Sequence, residues 1–151
     1  MYKRILLAVD GSRSSDLALS QAIAIGRATN AEVKVLYVVD DSDIYFEAGY
    51  FDPHELVNKL VSHGRKALDA TTAHLSEAGI RCNAQLDEKP VAPGRISSTI
   101  VNEANTRNAD MIAFWTHGRR GVRRVLMGSV SEGVLAQTIR PVLLVRSEIE
   151  G

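Results

Sequence analysis

The chain has 151 residues, enough for one domain with a real core and too few for two comfortable ones. Its 18 basic and 18 acidic residues cancel, which argues against a protein that coats nucleic acid and needs a basic excess to neutralise phosphates. The single cysteine, Cys82, excludes an intrachain disulfide and a multi-cysteine metal site, and it fits a reducing, cytoplasmic location.

The first apolar run, Ile5–Val9, is far too short for a signal peptide or membrane span, and no longer run follows. A soluble protein is therefore expected. Such a continuous apolar run suits a strand covered on both faces, and Asp10-Gly11-Ser12 ends it as a turn. From Ser14 to Thr29 the spacing becomes helical: Ala18, Ala22, Ile25, Gly26 and Thr29 share a face that Leu19 and Ile23 widen. Ser12 or Ser14 can cap this helix, and Asp16 stands in its first turn, where the helix dipole favours an acid.

Glu32–Val39, rich in β-branched residues, predicts a second strand, and the acidic, aromatic stretch after it predicts a loop. Pro53 opens a long helix over about His54 to Ala78, with Leu56, Leu60, Leu68 and Leu75 inside and Gly79 as its stop. Ile80–Leu86 alternates apolar and polar residues and predicts a weaker, edge strand, which "EKPVAPG" then breaks. Arg95–Thr106 predicts the next helix, with Ile96, Ile100, Val101 and Ala104 inside, and Asp110–Phe114 the fourth strand. A loop from Trp115 through Gly128, a helix over about Ser129 to Thr138 and a final strand in "RPVLLVRS" complete the chain. Strands alternating with helices imply one α/β domain: a doubly wound, Rossmann-like, five-stranded parallel sheet with helices on both faces and right-handed crossovers.

Ligands of such sheets bind beyond the carboxyl ends of the strands, where the strand order reverses. The candidate loops are thus Asp10-Gly11-Ser12, Val39-Asp40-Asp41 and Trp115 through Gly128. The last of these, within "FWTHGRRGVRRVLMGSVSEG", suits phosphate. Its glycines let backbone N–H groups approach an anion, the helix opening near Ser129 offers unpaired N–H groups, and Ser129 and Ser131 add hydroxyls. It is not a P-loop, since no lysine follows Gly128, and the first strand lacks a Gly-x-Gly-x-x-Gly fingerprint.

Each feature has a plainer reading. Asp-Gly-Ser serves as a turn and cap, Gly128-Ser129 as a simple helix start, His117 as a solvated polar residue, and Arg119, Arg120, Arg123 and Arg124 as a solvated loop. Asp40, Asp41 and Asp43 lack the remaining ligands of a calcium loop, so no metal site is assigned.

"ILLAVDGS", "VLYVVD", "THGRRG…LMGSVSE" and "RPVLLVR", in that order, resemble the universal stress protein family over essentially the whole chain. The nucleotide-binding branch of that family carries Gly, two residues, Gly, nine residues, Gly, then Ser or Thr. Gly118, Gly128 and Ser129 match; the first glycine position holds Trp115. The resemblance implies a stress-response regulatory protein that binds ATP or a related adenine nucleotide, with Mg²⁺ as a companion ion. It implies Ala8, Asp10 and Ser12 at the end of the first strand, Val38 at the adenine, and Phe114, Trp115 and His117 beside the ligand. Gly118, Gly128, Ser129, Val130 and Ser131 line the ribose and phosphates. It further implies a homodimer paired through Val142–Val145. Trp115 leaves three placements open for its indole: in solvent, beside the base, or filling the crevice. With no lysine in the phosphate loop and no general base besides Asp10 or His117, at most slow ATP hydrolysis is expected. The competing reading is a nucleotide-free homodimeric interaction protein, with Trp115 and the arginines on an unidentified protein partner. Nucleic-acid binding through the arginines lacks interleaved aromatics.

Overall fold

The computed structural model describes residues 2–10, 15–40, 52–91, 95–116 and 128–146. Five strands and four helices alternate along the chain. They are β1 (Arg4–Val9), α1 (Ser15–Thr29), β2 (Glu32–Asp40), α2 (Pro53–Glu77), β3 (Cys82–Val91), α3 (Ile96–Thr106), β4 (Met111–Thr116), α4 (Gly128–Gln137) and β5 (Val142–Arg146). The strands form one parallel sheet in the order β3-β2-β1-β4-β5. The order reverses between β1 and β4, as a doubly wound sheet requires.

Alternation along the strands divides the core in two. Ile5, Leu7, Val9, Val33, Val35, Tyr37, Met111 and Ala113 pack with Ala18, Leu19 and Ala22 of α1 and Leu68 and Leu75 of α2. Leu6, Leu36, Ile112 and Phe114 point the other way, against Ile100, Val101 and Ala104 of α3 and Val134 of α4. The helical faces expected from spacing are the faces that are buried, because each helix has a two-sided sheet to cover.

Three helices end by the same device. A residue in the left-handed region follows the cap, and the next N–H reaches back to a carbonyl left open by the helix. For α2 that residue is Gly79 at φ 79°, with the Ile80 N–H on the Leu75 carbonyl at 3.0 Å. Asn30 (φ 58°) does it for α1, where Ala31 N–H meets Gly26 O at 3.1 Å. Asn108 (φ 52°) does it for α3, where Ala109 N–H meets Ala104 O at 2.9 Å. At the other end of α2, the Asp52 carboxylate accepts from the His54 N–H at 3.1 Å and Pro53 opens the helix.

Several boundaries differ from those the sequence predicts. Ile80 belongs to the helix stop, so β3 starts at Cys82. It also runs beyond Leu86 to Val91, through part of "EKPVAPG". Its register against β2 shifts between the pairs Val38↔Asp87 and Asp40↔Val91, which absorbs the extra residues. An edge strand tolerates Pro90 at such a place, since one side of its backbone has no ladder to keep. β4 continues through Trp115 and Thr116, which the sequence assigns to the loop, because β5 runs alongside and pairs them with Val145 and Arg146. Among the described residues no helix is long and apolar enough to cross a membrane.

Candidate functional site

The register of the central strand makes the crevice. β1 follows β2 as far as Val9↔Tyr37 but follows β4 only as far as Leu7↔Ala113. β2 continues to Asp40 and β4 to Thr116. A notch therefore opens beyond β1, at the reversal point, between two strands that overshoot it. Asp10 stands at the floor of that notch and is exposed.

Four of the expected site residues converge on one face of the sheet beside it. Phe114 is buried, and Ala8, Val38 and Val130 pack half-buried against the same cluster on the α3/α4 side. They come from three strands and a helix, so only the folded sheet assembles them. The α4 helix begins at Gly128, directly before Ser129 and Val130. Its first-turn N–H groups lack partners within the helix and leave a positive dipole end there. Ser131, one residue beyond Val130, is 1% exposed. An apolar wall leading to a helix N-terminus has the two chemistries that a flat base and a phosphate need.

Trp115 does not join these residues. Successive strand side chains alternate, and Trp115 packs half-buried on the opposite face, with Leu143, Val145 and the α1-side core. Its indole therefore lies across the sheet from Ala8, Val38 and Phe114 and is half-buried there. Ser12, His117, Gly118, the four arginines of the glycine-rich loop, Asp41 and Asp43 lie outside the described residues. The backbone of Gly128 and Ser129 is described as helix.

Sequence reasoning alone misses Asp87, which is in register with Val38 on the crevice side of the sheet. Burial pushes its carboxyl above the usual carboxylate range, and Glu103 on α3 adds to the rise. The available signal is its odd-even position in β3, obscured because the sequence ends that strand one residue earlier. Among the described residues no group of three His, Cys, Asp or Glu side chains is placed to hold a metal ion. A separate open cleft of about 300 Å³ lies at the other end of the sheet, among the first residues of β1 and β2 and the end of α3. It is remote from the notch.

Comparison with known proteins agrees with this architecture. Universal stress protein MJ0531 of Methanocaldococcus jannaschii is 33% identical over 147 residues, covering 97% of this chain and 83% of that protein. The solved structure of MJ0577, from the same organism, superposes with a TM-score of 0.81 at 27% identity over 99% of both chains. A universal stress protein family structure from Arabidopsis thaliana, determined with AMP bound, shares the fold (TM-score 0.66, 19% identity, 97% of this chain and 92% of that one). Others of this fold were determined with dAMP and with cAMP. The universal stress protein family model spans residues 1–146; with the parallel sheet and its reversal between β1 and β4 also in place, the chain belongs to that family.

Proposed function

We propose that the protein is a stress-response regulator that takes ATP or a related adenine nucleotide in the notch beyond β1. The observation that carries this reading is the convergence of Ala8, Val38, Phe114 and Val130 on one face, beside the start of α4. In it the apolar wall receives the base, the backbone around Val38 reads the base edge, and the N–H groups of Gly128, Ser129 and Val130 meet phosphate oxygens. Ser12, His117 and Gly118 complete the phosphate end, with Mg²⁺ as companion ion, Asp10 lies at the strand end, and Ser131 braces the first turns of α4. Relatives of this fold with AMP, dAMP and cAMP support an adenine ligand. The displacement of Trp115 to the α1 side supports it too, since the indole does not fill the wall.

Binding rather than efficient turnover is the role assigned. The phosphate loop has no lysine to neutralise developing charge on a transferring phosphoryl group. In this reading the protein is cytoplasmic and acts through an unidentified protein partner.

Calorimetry with ATP and Mg²⁺ tests the reading, with a dissociation constant expected on the order of micromolar. Gly128→Val should abolish that binding with the fold retained, because a branched side chain at the start of α4 obstructs the anion. Undiminished binding in Gly128→Val would put the nucleotide elsewhere. Mass spectrometry of protein purified without added ligand supplies an independent check, and a co-purifying adenine nucleotide is expected.

A second reading, a nucleotide-free homodimeric interaction protein, draws on the β5 edge. β5 closes one side of the sheet, and Ile139 just before it is fully exposed, with Leu135 of α4 44% exposed. In both readings Val142–Val145 pairs with its copy in a homodimer. Absence of any bound or binding adenine nucleotide in a folded dimer would favour the second.

A further inference from the structure

Lys34 is an anomaly of this sheet. It lies on β2, which is flanked on both sides by β1 and β3, and it is half-buried. Among the described residues its ammonium makes no hydrogen bond or ion pair. Burial pushes its pKa down, the nearby Arg107 guanidinium pushes it further, and the opposing pull of Glu103 and Glu32 does not restore it. Half-buried charge without a contact partner is costly, so an anion bound against Lys34 would be stabilised there.

The room for one is present. Lys34 lines the cleft of about 300 Å³ at the amino ends of the strands, together with Arg4, Arg107, Glu32, Asn83 and Asn108. Three cations face a single carboxylate in that lining. Two further acids act on these cations: Glu103, held by Arg107 at 3.1 Å, and Asp110, whose carboxylate accepts from the Arg4 N–H at 2.9 Å and feels the Arg4 charge. Arg107 also donates to Gln85 at 3.1 Å, which fixes its guanidinium at the mouth. The cleft borders the end of α3, whose negative pole would repel an anion, but the N–H groups of Arg107, Asn108 and Ala109 close the Glu103, Asn105 and Ala104 carbonyls. The rest of the lining is uncharged but polar: the Asn83 and Asn108 amides both donate and accept.

We propose that this cleft is a second ligand site, independent of the nucleotide notch, for a phosphorylated sugar or polyol of pentose to hexose size. The phosphoryl group sits between Lys34 and Arg107. The hydroxyls bond to Asn83, Asn108 and the Glu32 carboxylate, an acceptor that a bare phosphate would avoid. The volume is at the lower end for small-molecule sites, which suits a ligand smaller than a nucleoside triphosphate.

Calorimetry on the full chain with glucose 6-phosphate, inorganic phosphate and glucose tests this, alongside a carbon NMR titration of the Lys34 side chain. Glucose 6-phosphate is expected to bind with a dissociation constant on the order of 100 µM, and at least about tenfold more tightly than either fragment. Its binding should raise the Lys34 pKa, which a merely structural lysine would not report. Lys34→Met should lose about tenfold or more, Lys34→Arg should retain most of the affinity, and Gly128→Val should leave it unchanged. Retained affinity in Lys34→Met, an unmoved Lys34 titration, or equal affinity for inorganic phosphate would each overturn the proposal. So would loss in Gly128→Val, which would place the phosphate in the notch. Failure of ATP binding alone leaves this site standing, since the two lie at opposite ends of the strands.

Discussion

Asp110 and Arg4 hold each other through a reciprocal pair of hydrogen bonds: the Asp110 N–H donates to the Arg4 carbonyl at 2.7 Å, and its carboxylate accepts from the Arg4 N–H at 2.9 Å. The same oxygen accepts from the Lys3 N–H at 2.8 Å. This ties the entry of β4 to the entry of β1, the two strands between which the order reverses. The anchorage sets the register from which β1 falls short of its neighbours at the far end.

Asp110→Ala should therefore lower stability by about 1 kcal/mol, a modest loss for bonds to a partly exposed carboxylate. Chemical denaturation at neutral pH measures it. Burial would raise the Asp110 carboxyl, but the Lys3 and Arg4 N–H groups and the Arg4 charge outweigh it and hold it below its ordinary 3.8. Its contribution is thus fully present above that value and is lost as pH falls through the lower, folded-state value. Asp110→Asn should flatten the acid limb of the stability profile.

Asp87 should act with the opposite sign. Its carboxyl is raised above 3.8 by burial and by Glu103, so ionising it opposes folding. Stability relative to Asp87→Asn is highest below 3.8 and declines as pH rises through the window between the unfolded and folded values. A denaturation series from strongly acidic to neutral pH measures the difference between the two proteins, and a flat difference would remove the assigned cause.

Gly133 is required by the contact of α4 with α3. A Cβ there would stand 2.3 Å from Ser97 Oγ and 2.6 Å from Ser97 Cβ. Ser97 is itself buried and accepts from Gln137 at 3.1 Å, so it has little freedom to turn away. Gly133→Ala should cost about 1–3 kcal/mol as overpacking. Introduced into Ser97→Gly, the same substitution should cost at least about 1 kcal/mol less, a coupling that a double-mutant cycle reads.

Trp115→Gly separates stability from binding. The indole packs half-buried on the α1 side, so its removal should cost about 2–4 kcal/mol, somewhat below the truncation of a fully buried aromatic. ATP affinity, measured below the melting transition, should stay within about threefold, which is less than 1 kcal/mol. A gain of tenfold or more would mean that the indole obstructs the notch after all.

The β5 edge offers a further check. In a homodimer paired through Val142–Val145, outward-facing β5 amides are protected from hydrogen exchange at high protein concentration and exchange faster on dilution. Sedimentation should show a dimer at micromolar concentration. A monomer with concentration-independent exchange would leave the exposed Ile139 without that partner.

Much of the fold is legible in the residues themselves. The short apolar runs and the helical faces of α1, α2 and α3 need only period and composition, and Gly79 announces its own turn. Asn30 and Asn108 perform the same turn less visibly, because asparagine enters the left-handed region without being confined to it. The ends of β3 and β4 are hidden for another reason. A strand stops where its neighbour stops supplying hydrogen bonds, and that neighbour is distant in sequence. Trp115 and Thr116 are strand because Val145 and Arg146 lie beside them.

By itself, then, the sequence determines the fold class, the edge character of β3, the carboxyl-end location of the notch and the residue types around it, since these follow from local periodicity and from the handedness of parallel crossovers. The tertiary structure alone decides which face each strand residue serves. It sends Ala8, Val38 and Phe114 to one side and Trp115 to the other, and it leaves Lys34 in a cleft with Arg107. The physical reason is that a strand has a period of two. One residue of register, set by pairing with distant segments, determines whether a side chain faces the α3/α4 side beside the notch or the opposite core.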